Sequence, residues 1–368
     1  MRNNIEDKTL LSVVFTLLVF GLVMIASAGV IYSQTRFADA YYFFKHQLFF
    51  GVFPGIFVLY FLSRIDYHFW KKLAVPIFFA SVVFLILVFV PGVGSRVYGA
   101  SRWIQLGPFS FQPSEMAKLA IIIYLAAWLE GRGVQRIKDV FEGLLPFLGI
   151  MGLIGFLIMK QPDTGTFGVI VLTSFSIFFV AGARIQHLAG MGLLGACLLW
   201  LLVKLEPYRF DRILTFLDPG ADPQGIGYQI NQALLAVGSG GLFGVGLGHS
   251  RQKFNYLPEP VGDSIFAIIG EEVGLLGATI LIILFVMLAI RGIKIAKNAP
   301  DMFGRLMATG ICMWIILQAF INISANIALV PLTGIPLPFI SYGGTSLVFL
   351  MAAIGILLNI SKQANIND

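Results

Sequence analysis

Charge is what this chain has least of. Only 12% of its 368 residues are Asp, Glu, Lys or Arg, while 58% are apolar; soluble domains carry about 25% charged residues. A soluble chain of this length buries roughly 75% of its unfolded surface and still needs charge to cover the remainder. The shortage therefore excludes a soluble globular protein and makes lipid the solvent for most of the chain. Cysteine is equally scarce. Cys197 and Cys312, each inside a long apolar run, exclude a disulfide framework and a cysteine-based metal site. The four histidines, His46, His68, His187 and His249, show no HExxH or other ligand spacing, and no P-loop is present.

What the chain does have is long apolar runs. A window of about 20 residues, enough to cross a 30 Å hydrocarbon core, stops about ten times: near 10–32, 47–63, 73–90, 114–129, 144–159, 165–182, 187–203, 264–290, 304–329 and 342–360. The expected fold is an all-α polytopic membrane protein of about ten transmembrane helices, forming one domain over residues 1–368. The N-terminal stretch MRNNIEDKTL runs into the first apolar segment without a small-residue cleavage site, and so reads as a retained span rather than a removed signal.

Orientation comes from Lys and Arg outside the spans. With the N-terminus in the cytoplasm, the inner segments hold fourteen of these cations and the short outer segments five; five more lie in the long 204–263 loop. Both termini are therefore predicted to be cytoplasmic. The net charge of +6 then reads as a topology signal, and no nucleic-acid partner is expected.

Two outer stretches are hydrophilic, 91–113 and 204–263, the latter a large extracytoplasmic loop between spans 7 and 8. Loops this long are usually functional or disordered. The second contains GSGGLFGVGLGHS, with six glycines in eleven residues. Such a run fits a phosphate-cradling nest, a re-entrant bend or a flexible linker. The last outer loop, PLTGIPLPFISYGG, is rich in Pro and Gly and carries no charge, so its backbone must be irregular.

Ionisable groups at or inside a span are expensive and default to functional hypotheses. Glu115 and Lys118 open the fourth span three residues apart, on one helix face, where they can pair; Glu115 also suits the positive end of the helix dipole. Asp163, in QPDTGTFG, reads as an N-cap. Asp263, at the head of the eighth span, can be a cap too, but Glu259, Lys253 and Arg251 share its loop. A partly desolvated carboxylate at a membrane mouth has its pKa raised toward the range a general base needs. Glu271 and Glu272 lie deeper in that span, and at least one must face the bundle interior. Asn322 and Asn326 share a helix face, as interhelical hydrogen-bonding residues do.

Five ordered blocks, SRWIQLGPFSFQPSEMAK, QPDTGT, FLDPGADPQGIGYQINQALLAVGSGGLFGVGLGHSRQKFNYLPEP, DSIFAIIGEEVG and PLTGIPLPFISYGGTSL, resemble the SEDS family of peptidoglycan polymerases that includes FtsW, RodA and SpoVE. The resemblance spans essentially the whole chain, and LGPFSFQPSE, SRQKFNYLPEP and TGIPLPFISYGGTS look most like the FtsW and SpoVE branch. It implies glycosyl transfer on the outer face of the bacterial cytoplasmic membrane, with lipid II as donor and acceptor and undecaprenyl pyrophosphate leaving. The family's essential Asp falls on Asp263, the expected catalytic residue. Arg102, Glu115, Lys118 and Glu259 are the substrate-binding residues it implies, with Glu259 orienting a substrate or a divalent cation, Mg or Mn. Expected partners are a class B penicillin-binding transpeptidase and other divisome proteins, with the division septum as the expected location. Two departures stand out: Gly262 and Ser264 flank the Asp in place of the usual residues, and Ser101 stands where a second arginine is common.

Overall fold

The computed structural model describes residues 7–97, 100–107, 109–205, 210, 214–218, 225–254 and 256–364. A helix forms at each of the ten apolar segments. In chain order they are α1 (Lys8–Ala28) continued by α2 (Val30–Phe37), α3 (Tyr42–Gln47) running through a π turn into α4 (Phe53–Leu62), and the short α5 (His68–Lys72) before α6 (Ala74–Leu87). There follow α7 (Pro113–Ile137), a π turn leading into α8 (Leu145–Met159), α9 (Thr164–Val180), α10 (Ile185–Leu205), α11 (Ile226–Ser239), α12 (Ile265–Asn298), α13 (Met302–Asn326) and α14 (Gly344–Gln363). Among the described residues, six helical stretches are long and apolar enough to cross a membrane: Lys8–Ala28, Tyr42–Leu62, Val140–Met159, Ile265–Asn298, Met302–Asn326 and Gly344–Gln363. Shorter apolar helices cover Ala74–Leu87, Thr164–Val180 and Ile185–Cys197.

Local chemistry sets several helix starts. Asp7, Asp163 and Asp301 cap α1, α9 and α13, each carboxylate accepting a backbone N–H three residues on, which satisfies a donor the helix cannot. Asp163 is thus the cap its position predicts. Pro113 occupies the first turn of α7, where its missing N–H costs nothing.

The helices pack into a bundle with α13 and α14 most enclosed. Large side chains such as Phe57, Phe79 and Phe156 point outward, as a lipid-facing surface requires. Where the patterning predicts only a long outer loop at 91–113, the chain forms a three-stranded antiparallel meander, β1 (Gly94–Val97), β2 (Ala100–Leu106) and β3 (Phe109–Phe111). Residues 94–111 can pair with each other, and Thr345 fastens the meander to the bundle by donating its hydroxyl to the Ser110 carbonyl at 2.6 Å.

The glycine run proves to be a packing device. Helix α12 breaks at Gly274, whose φ of +70° is a left-handed conformation that glycine adopts without penalty. The break strands backbone groups in the bundle, and residues 241–246 satisfy them. Val245 and Gly246 donate to the carbonyls of Glu271 and Glu272, while Leu275 and Leu276 donate to those of Gly241 and Leu242. A broken helix is tolerated at membrane depth only with such substitutes. A Cβ on Gly244 would meet the Glu272 carbonyl oxygen at 2.2 Å, so the run is glycine-rich because backbone must touch backbone.

Candidate functional site

The turn carrying Asp263 is held from three directions. The Val261 carbonyl accepts from Tyr342 N–H at 2.8 Å, and the Gly262 carbonyl accepts from the Ser341 hydroxyl at 2.7 Å. The Asp263 carbonyl accepts from both Asn322 and Asn326, each at 2.8 Å. Beyond it, the Ser264 hydroxyl accepts from Gln229 of α11 at 3.1 Å. Consecutive carbonyls are thus bonded to the last outer loop and to α13, leaving the Asp263 backbone little freedom. Asp263 is half-buried as a residue, with its carboxylate Oδ1 enclosed and its Oδ2 beside Gly334, where a Cβ would sit 3.8 Å away.

Glu259 sits four residues earlier at φ +49°. Its carboxylate accepts a long hydrogen bond, 3.5 Å, from the Tyr32 hydroxyl. Phe339, in the last loop, holds φ +64° while buried. Non-glycine residues at such angles persist only where the surroundings over-determine them, commonly at functional sites.

The last loop is in turn braced from inside the bundle. Asn322 also donates to the Ile335 carbonyl at 2.8 Å, and Gln318 donates to that of Pro336 at 2.9 Å. The Gln318 side-chain oxygen accepts from Trp314 and from Lys118, both at 2.8 Å. Lys118 pairs with Glu115 at 2.9 Å and lies over the Trp314 ring, 5.0 Å from its centroid. The i, i+3 spacing does bring Glu115 and Lys118 together. Both are buried, however, and the ammonium faces protein partners rather than a substrate surface.

Arg102 reaches from β2 to the α8–α9 junction. It donates to the Gln161 carbonyl at 3.0 Å and to the Pro162 carbonyl, just ahead of the Asp163 cap. The N-terminal turn of α9 then touches the last loop, where a Cβ on Gly165 would lie 2.7 Å from the Thr333 carbonyl. Arg102, Glu259 and Asp263 therefore share one end of the bundle, with the last loop between them.

Lys253 and Arg251, from the loop that carries Asp263, are tied to α12. Lys253 is buried against Glu272 at 3.0 Å, and Glu272 also accepts from Ser27 at 2.5 Å. Glu271 accepts from the Arg251 N–H at 2.8 Å and from the Ser250 hydroxyl. Both glutamates face the interior, where they anchor residues 250–253 to α12. The grouping of Lys253 and Arg251 with Asp263 suggested by their common loop is thus narrowed to Glu259.

Sequence reasoning placed Asn322 and Asn326 on one face but missed that they grip Asp263, and it overlooked Gln318. The signal was present: 318, 322 and 326 form a polar stripe four residues apart in an otherwise apolar helix. Ser341 and Tyr342 carried no such signal.

Among the described residues no three His, Cys, Asp or Glu side chains cluster as a metal cage. Glu259 and Asp263 nonetheless place two carboxylates on one turn. A Mg²⁺ held by one or two carboxylates and the phosphates of its substrate needs no larger protein set.

Residues 8–366 match the cell cycle protein family of FtsW, RodA and SpoVE. The chain is 45% identical over 359 residues to stage V sporulation protein E of Bacillus subtilis (strain 168), covering 97% of each. It is 41% identical over 359 residues to the probable peptidoglycan glycosyltransferase FtsW of Geobacter sp. (strain M18), again covering 97% of each. Among solved structures it resembles the rod shape determining protein RodA of Thermus thermophilus, with a TM-score of 0.71, 27% identity and 98% of each chain covered. It also resembles a chain of a peptidoglycan synthase complex that coordinates polymerization and crosslinking, with a TM-score of 0.80, 28% identity and 97% of each chain covered.

Proposed function

The chain belongs to the FtsW, RodA and SpoVE family of cell cycle proteins, and from that premise we propose that it is a peptidoglycan glycosyltransferase polymerising lipid II, with Asp263 as general base. The observation that carries the assignment is the Asp263 turn: a half-buried aspartate on a backbone gripped by α11, α13 and the last loop. General bases need that fixed geometry first and a suitable pKa second.

In this reading Asp263 takes the proton from the acceptor's sugar 4-hydroxyl as that oxygen attacks the anomeric carbon of the donor. The bond to the pyrophosphate breaks in the same displacement, inverting the anomeric centre, and undecaprenyl pyrophosphate leaves. Arg102 is the candidate for stabilising that pyrophosphate: a guanidinium has five N–H donors, and its bonds to Gln161 and Pro162 use two of them. Glu259 orients the sugar or a divalent cation, which when bound neutralises phosphate charge. Lys118 and Glu115 act indirectly, through Gln318, by setting the loop that carries Gly334.

The ten helical segments, crossing with both termini in the cytoplasm, would put this end of the bundle on the outer face. There two polyprenyl tails remain in the bilayer while their headgroups meet. The partner proposed is a class B penicillin-binding transpeptidase, in keeping with the synthase complex whose chain this one resembles. The LGPFSFQPSE and SRQKFNYLPEP stretches favour the division and sporulation branch over RodA, and septal synthesis is the programme proposed within it. A sporulation role is the second reading, favoured by the 45% identity to the B. subtilis sporulation protein.

The test is polymerisation of lipid II by the purified protein with its transpeptidase, comparing wild type with Asp263→Asn. Loss of at least about 10²-fold in rate is expected, with the fold unchanged by thermal denaturation. Glycan chains from the variant at the wild-type rate would remove Asp263 as the base. No polymer from either protein, with lipid translocation intact in vesicles, would favour a flippase.

A further inference from the structure

An apolar cleft of about 500 Å³ opens between α9, α12 and α13, at the end of the bundle opposite Asp263. Phe179, Val180, Ile293 and Met313 contribute its walls. Its floor is narrow because α12 and α13 touch: a Cβ on Gly292 would lie 2.6 Å from Cys312 Sγ. From Arg305 to Met313 the cleft follows α13 for eight residues, roughly 12 Å at 1.5 Å per residue. That is an elongated shape, suited to a hydrocarbon chain.

Two cations stand at its mouth, Lys297 near the end of α12 and Arg305 in the second turn of α13. Both are exposed, and neither makes an ion pair with another described residue. No carboxylate lines the cleft. Elsewhere at this end cations do find acids: Lys71 pairs with Glu130 and Arg291 with Asp7. An apolar slot with uncompensated positive charge at its rim is complementary to one chemical class, a lipid with an anionic headgroup.

We propose that this cleft binds an anionic phospholipid of the leaflet that the cation distribution predicts to be cytoplasmic. One acyl chain lies along the slot between α9 and α13, and the phosphate sits between Lys297 and Arg305, the guanidinium offering it two parallel N–H groups. The site is separate from the Asp263 turn, at the other ends of the same two helices. An occupant there would wedge the inner halves of α9, α12 and α13 into one spacing.

The test uses the full-length protein in detergent, titrated with phosphatidylglycerol or with phosphatidylcholine of the same acyl chains, and counts retained lipid by native mass spectrometry. Wild type is expected to retain phosphatidylglycerol roughly tenfold or more tightly than phosphatidylcholine, since each headgroup-level cation contributes about a factor of five. Lys297→Gln with Arg305→Gln should bring it down to the phosphatidylcholine level. Thr309→Trp, which fills the slot and keeps both cations, should abolish the preference too; Ser176→Phe fills it from α9 should the first variant fail to fold. Removing equal charge at Lys8 and Lys72 should change nothing. Equal loss from the Lys8/Lys72 variant, or full retention by both slot-filling variants, would overturn the site and leave general surface attraction.

Discussion

The two ends of the bundle differ in their ion pairs: the most deeply buried pairs among the described residues lie toward Asp263. Toward Asp263 two pairs are inside protein: Lys253 and Glu272 have side chains 4% and 0% exposed, and Lys118 and Glu115 are equally enclosed, while Lys45 and Asp39 pair on the surface at 57% and 38%. At the other end most lie more openly, with Lys71 and Glu130 at 41% and 25% and Arg136 and Glu142 more exposed still; Arg291 and Asp7, at 18% and 1%, are the enclosed exception. A buried pair must repay the desolvation of two ions and is weak evidence for stability, whereas an exposed pair contributes about 0–1 kcal/mol. The difference teaches where position matters. Both buried pairs at the Asp263 end also reach a loop: Glu272 bonds to residues 248–253 through Ser27, Ser250 and Lys253, and Lys118 to the last loop through Gln318. The pairs at the opposite end tie helix ends together: Lys71 of α5 to Glu130 of α7, and Arg291 of α12 to Asp7 ahead of α1.

The largest expected effect breaks that contrast directly. Glu272→Ala leaves the Lys253 ammonium buried without its carboxylate and should cost roughly 3–5 kcal/mol, measured by denaturant unfolding in detergent. Lys71→Ala should cost less than about 1 kcal/mol. Converting both members, Lys253→Met with Glu272→Met, should recover part of the loss, because no lone charge then remains. Equal destabilisation by the two single variants would show that burial does not separate the two ends.

A smaller effect tests whether the network around Asp263 positions its carboxylate or merely supports the fold. Asn322→Ala with Asn326→Ala leaves the Asp263 carbonyl without its two α13 donors. Each orphaned buried group costs about 1–3 kcal/mol, so the protein should still fold. Polymerisation should fall roughly tenfold in kcat with little change in KM for lipid II, a smaller loss than Asp263→Asn gives. A rise in KM at constant kcat would instead mean that the asparagines shape substrate binding.

Much of this was legible in the sequence, for identifiable reasons. The ten apolar segments each became a helix because lipid leaves no alternative to internal backbone hydrogen bonding. Asp163 is a cap because a carboxylate before TGT has an N–H to accept from. The Glu115–Lys118 pair followed from helical spacing. What was not legible depended on contacts between distant segments. The burial of that pair comes from Trp314 and Gln318 on α13, about 200 residues away. The role of the glycine run comes from the break at Gly274, which a single glycine in an apolar helix does not announce. The meander at 94–111 was hidden because strands of three to seven residues are too short for a clear alternation.

The smallest effect belongs to the end opposite Asp263, where the contrast predicts a weak, pH-dependent brace. His68 faces two carboxylates, Nδ1 lying 2.7 Å from Asp66 and Nε2 2.6 Å from Asp301. Tyr67 donates to that same Asp301 carboxylate at 2.9 Å, so the α4–α5 turn is fastened to the start of α13. Only the imidazolium donates from both nitrogens. Burial by itself pushes the His68 pKa down, but the hydrogen bonds and charges of Asp66 and Asp301 outweigh it and raise the value above the ordinary one. A folded-state pKa above the unfolded value means that the brace is fully present below about pH 6.5 and is lost as the pH rises through the raised value. The side chain is 48% exposed, so solvent screens the contact and the unfolding midpoint should fall by only about one or two degrees across that window. His68→Gln should flatten the dependence, and added salt should weaken it in the wild type. A midpoint that rises with pH, or one indifferent to the substitution, would show that the exposed turn does not brace that end at all.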